Sequence, residues 1–86
     1  MYLHLGSGAI VRSDSVVAVF DLDITSQSHI TRRYLNQAEK SGQIINVAED
    51  IPKSFVVCKD ENGMKVYLSQ MSSQTLLKRA EAGFSL

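Results

Sequence analysis

The sequence predicts an α+β fold: a single small domain over residues 1–86 with an antiparallel or mixed β-sheet and two α-helices. Three observations carry this. Two segments, one ending before Gly42 and one containing Leu76-Leu77, repeat apolar residues at helical spacing. An Asp60-Glu61-Asn62-Gly63 turn lies between two β-rich runs, the signature of a hairpin. The other apolar segments are short, alternating or β-branched, and each is bounded by turn residues.

Taken in order, residues 1–5 alternate, with Met1, Leu3 and Leu5 on one face and Tyr2 and His4 on the other, as a half-buried strand requires. Gly6-Ser7-Gly8 ends that strand, and residues 9–12 can pair back on it. Ser13, Asp14 and Ser15 supply turn chemistry before the apolar run 16–20. That run is β-branched and does not alternate, so it reads as a central strand buried on both faces. A helix follows, capped by Ser26 or Ser28 and closed by Gly42. Ile30, Tyr34, Leu35 and Ala38 form its packing side; Arg32, Arg33, Asn36 and Lys40 spread over the other. Residues 43–47 form a strand, 48–53 a loop, and 54–59 and 64–69 the two arms of the hairpin. Ser72 or Ser73 caps the last helix, with Leu76, Leu77, Ala80 and Phe84 sharing a side and Lys78 and Arg79 pointing elsewhere.

Composition narrows the function. Hydrophobic residues make up 44% and charged residues 21%, enough to bury a core but near the lower size at which one core suffices, so association is expected. Nine Lys+Arg balance nine Asp+Glu; any attraction to nucleic acid must come from where the charges sit. With one cysteine, Cys58, there is no internal disulfide and no cysteine set for zinc. The start MYLHLGSG lacks the basic and apolar regions of a signal peptide, and no run reaches membrane-spanning length, so a cytoplasmic protein without membrane contact is expected.

The segment VVAVFDLDIT resembles the nucleophile motif of haloacid-dehalogenase-type phosphotransferases, in which Asp21 would attack phosphorus and Asp23 handle protons beside a magnesium ion. That chemistry needs a larger parallel α/β domain with a lysine and further acids from later strands. The chain has neither the length nor the element order, so no enzyme and no catalytic residue is expected. His4 and His29 lack metal-ligand spacing, Cys58 reads as a small buried side chain, and no metal or cofactor is expected. What remains is cation placement: Arg32, Arg33 and Lys40 on the open helix face, with Arg12 and Lys53 in loops, can line a phosphate backbone if fold or assembly gathers them.

The stretches MYLHLGSGAIV, VVAVFDLD, ITRRYL, EDIPKSFVV and KVYLSQMSSQTLLKRA, of which IPKSFVV and LSQMSSQTLLKR are the most specific, cover the chain nearly end to end. Together they resemble the RemA/RemB family of extracellular matrix regulatory proteins, nearest the RemB branch. The resemblance implies a small cytosolic homo-oligomer, a ring in the RemA branch, that binds promoter DNA cooperatively through backbone contacts and activates genes of the biofilm matrix and osmoprotection. It also implies a difference. The RemA branch carries an Arg-Arg pair in the loop that matches residues 49–54, where Ile51-Pro52 stand here, leaving Lys53 as the loop's cation. A further RemA arginine aligns near Ser15, close to Arg12, and the first-helix basic residue is retained as Arg32. The expectation is therefore a double-stranded-DNA-associated regulator using Arg12, Arg32, Arg33 and Lys53 on phosphates without base readout. The alternative is an oligomeric regulator that works through a protein partner without touching DNA.

Overall fold

The computed structural model describes residues 2–6, 8–22 and 29–84, with side chains as far as residue 79. The order is β1 (Tyr2–Gly6), β2 (Ala9–Arg12), a 3-10 turn (Ser13–Ser15), β3 (Val16–Asp21), α1 (His29–Lys40), β4 (Ile44–Asn46), β5 (Ser54–Asp60), β6 (Gly63–Ser69) and α2 (Ser73–Phe84). The class is α+β, as the sequence implies. The strands, however, divide into two sheets: a β1-β2 ribbon, and a four-stranded sheet in the order β3-β5-β6-β4. The larger sheet is mixed, because β4 runs parallel to β6 while the other pairs are antiparallel.

Local chemistry sets the element ends. The β5-β6 turn pairs Asp60 with Gly63, whose φ of 110° suits glycine, and Asp60 Oδ1 accepts the Asn62 N–H at 2.8 Å. Helix α1 closes on Gly42 at φ 71°, where the Gln43 N–H reaches Ala38 O (2.9 Å) and the Gly42 N–H reaches Glu39 O (3.1 Å). This doubly bonded helix end satisfies carbonyls that would otherwise be orphaned. It also aims the chain into β4, since Gln43 O then accepts the Val66 N–H. For α2 the cap is Ser72, whose Oγ accepts the Thr75 N–H at 3.1 Å. The expected caps Ser26 and Ser28, and the packing of Met1, Ala80 and Phe84, lie outside the described residues.

The alternating side chains of β5 split the core in two. Val56 and Cys58 face the ribbon and α2, joining Leu3, Leu5, Val11 and Leu76. Phe55 and Val57 face the other way and join Val66 and Ala38 beneath α1. Two buried serines tie the layers: Ser69 Oγ donates to Leu5 O at 2.6 Å and Ser54 Oγ to Met71 O at 2.7 Å.

Three expectations need correction. Residues 16–20 form the edge strand β3, with Val17 60% and Phe20 39% exposed. The buried central strand is β5, every residue of whose Ser54 to Cys58 stretch is buried. A β-branched run specifies a strand but not its place in the sheet, and a bulge between Val16 and Ala18 displaces Val17 from the ladder. On α1, Ala38 and Leu35 pack as expected, whereas Ile30 is 81% exposed and Tyr34 is also exposed, because the stripe continues beyond the sheet beneath it. On α2, Leu76 is fully buried but Leu77 is 47% exposed. Consecutive helical residues diverge by about 100° and cannot share one narrow contact.

Candidate nucleic-acid interface

Helix α1 carries the clearest polar surface. His29, Arg32, Arg33, Asn36, Gln37 and Lys40 line one shallow trough along it, and all six are exposed. Each lies three or four residues from at least two others of the set, which gathers them in one broad stripe. At about 100° per residue the middle of that stripe falls opposite the buried Ala38. The stripe therefore projects from the domain; no carboxylate lines the trough, and the exposed Glu39 flanks its Arg32 edge. Among the described residues, Arg32, Arg33 and Lys40 take part in no ion pair.

The other expected phosphate contacts lie elsewhere. Arg12 ends β2 in the ribbon layer, on the opposite side of the sheet from α1. Its Nη2 is 2.9 Å from Asp14 Oδ2, and both side chains are largely exposed. Such a pair contributes little to stability, but it offsets the arginine's charge locally. Lys59, Asp60 and Glu61 line the same depression, so cations and carboxylates alternate there. Lys53 lies in the loop before β5, and the seven residues of that strand, about 20 Å of extended chain, separate it from the Arg12 corner. The fold thus brings Arg32 and Arg33 together and leaves Arg12 and Lys53 apart from them and from each other. His29 and Gln37 were not among the expected contacts, although each lies four residues from Arg33 and so falls on the stripe.

The loop holding Lys53 is firmly fastened. Gln70 Oε1 accepts the N–H groups of Glu49 (2.8 Å) and Asp50 (3.2 Å), and the Lys53 N–H donates to Ser69 O at 2.8 Å. Lys53 O in turn accepts the Leu22 N–H at 2.9 Å. Ile51 is 77% exposed at its tip.

The sequence as a whole has relatives among known proteins. Residues 2–80 match the family described as extracellular matrix regulatory protein A-like. The chain is also 31% identical to extracellular matrix regulatory protein B of Bacillus subtilis (strain 168), over 100% of this chain and 98% of that protein. The chain belongs to the extracellular matrix regulatory protein family, on its RemB branch. The names of the family and of this relative describe regulation rather than a reaction.

Within this RemB-like framework the residues of chemical interest have structural surroundings. Asp21 ends β3 opposite Ser54, and its Oδ2 is 3.4 Å from the Ser73 hydroxyl at the start of α2. Asp23, the second acid of the motif, lies outside the described residues. Among the described residues no three of His, Cys, Asp and Glu gather as metal ligands. Cys58 is buried, and burial pushes its thiol pKa up; a hydrogen bond with Ser15 opposes this and the Asp60 charge adds to it. A thiol so placed stays protonated near neutral pH and is a poor nucleophile. No helix of the described residues is long and apolar enough to cross a membrane.

Proposed function

We propose that the chain is a cytoplasmic, non-catalytic regulator of biofilm matrix genes that binds the phosphate backbone of double-stranded DNA as a homo-oligomer. The observation that carries this reading is the exposed stripe of α1, where Arg32, Arg33 and Lys40 take part in no ion pair among the described residues of a chain with no net charge. Arg32 and Arg33 supply the principal phosphate contacts. Arg12 and Lys53 contribute where neighbouring subunits bring their separate corners beside the duplex. Repetition raises affinity, since each contact after the first forms at high effective concentration. Exposed apolar residues at the β3 edge, Val17 and Phe20, and on the flank of α1, Ile30 and Tyr34, give subunits surface to bury.

A gel shift across a salt series tests this. Wild-type protein should retard duplex at low salt and lose it steeply as salt rises, and Arg32→Ala/Arg33→Ala should reduce the slope by about 2 per subunit engaged. One observation favours a second reading, that of a regulator acting through a protein partner: the exposed, apolar Ile51 at the tip of the anchored loop, beside the half-buried Pro52. Failure to retard duplex at any salt selects that reading over the first.

A further inference from the structure

We propose that α1 also reads sequence, with Asn36 and Gln37 contacting base edges in the major groove of the duplex; this rests on the DNA-binding reading above and goes beyond phosphate contact. The two amides occupy the middle of the exposed stripe. Arg32 and Arg33 lie one turn before them and Lys40 one turn after, so cations bracket them along the helix. In a helix laid in the groove that order sets phosphate-binding charge before and after the two neutral side chains. With 12 residues, α1 is about 18 Å long, sufficient to cross a major groove about 12 Å wide, and a helix is the element that groove admits. Because the stripe projects away from the sheet, the body of the domain stays outside the groove.

The amides are also available. Elsewhere in the chain such groups hold the fold: Asn46 Oδ1 accepts the Ala48 N–H at 2.9 Å and Gln70 Oε1 fastens the loop at Glu49 and Asp50. Among the described residues, the side-chain amides of Asn36 and Gln37 have no hydrogen-bond partner. A carboxamide presents one donor and one acceptor side by side, matching N7 and the N6 amino group of adenine. The expected target is duplex with adenine at two nearby positions, flanked by phosphates that Arg32, Arg33 and Lys40 reach.

The test is selection from a random duplex pool with wild-type protein and with Asn36→Ala/Gln37→Ala, followed by competition between the enriched duplex and a scrambled one. Wild type should enrich a motif containing adenines and prefer it by about tenfold or more. The double variant should keep its affinity for the unselected pool and lose that preference. Replacing the motif adenines by guanine should weaken wild type and leave the variant unmoved. Retardation of the pool without enrichment, or enrichment of one motif by both proteins, overturns base reading and leaves phosphate binding standing. No retardation by either protein overturns both.

Discussion

The two sides of the four-stranded sheet are finished differently. On the ribbon side, Leu3, Leu5 and Leu76 are sealed against Val56 and Cys58, and Ser69 bonds the Leu5 carbonyl across the layer. On the α1 side the helix is anchored by Ala38 and Leu35, while Ile30, Tyr34 and the edge residue Phe20 keep apolar surface in water. The difference teaches that the chain concentrates cohesion on one face and carries the surface proposed for recognition on the other. Substitutions should then separate the two roles.

The largest expected effect is Leu5→Ala. Removing a fully buried side chain should lower unfolding free energy by about 2–5 kcal/mol in urea titrations. A loss no larger than that of Ile30→Ala, expected within about 0.5 kcal/mol, breaks the comparison. Next comes Ser69→Ala, which deprives the Leu5 carbonyl of its donor and the Met71 N–H of its acceptor (3.1 Å) and should cost about 1–3 kcal/mol. Cys58 should produce a smaller, pH-dependent effect. Its folded pKa lies above the unfolded value of about 8.5, so its contribution is intact below that pH and fades as pH climbs through the folded value. Urea midpoints should fall over that alkaline range in wild type and fall less in Cys58→Ala; parallel curves assign the alkaline loss to other groups. The smallest effect on stability belongs to Ile30→Asp on the opposite face, yet it should reduce assembly mass in sedimentation. Unchanged mass moves the subunit contact away from the α1 flank.

Much of the fold was legible wherever structure is decided locally. The Asn62-Gly63 turn, the Gly42 helix end and the Ser72 cap each follow from residues within a few positions of one another. What the sequence did not disclose was decided at long range. The place of 16–20 at the sheet edge depends on its pairing with 54–58, and the division into two sheets on which strands the ribbon leaves unpaired. The same holds for the candidate site. Arg32 and Arg33 were legible as members of one broad exposed face because helical periodicity turns both away from Ala38. Their separation from Arg12 was not, since it depends on which layer each element joins. Periodicity likewise marked Ile30 and Tyr34 as apolar flank without revealing where the sheet beneath them stops.

The loop from Glu49 to Lys53 is gripped entirely through its peptide groups, by Gln70, Ser69 and Leu22. Apart from Asp50, whose Oδ1 accepts the Ile51 N–H at 2.8 Å, such a fixture is indifferent to the side chains it exhibits. The tip at Ile51 can therefore be exchanged, to a cationic or an apolar character, while the frame that displays it keeps its shape, and partner choice becomes alterable without refolding the domain.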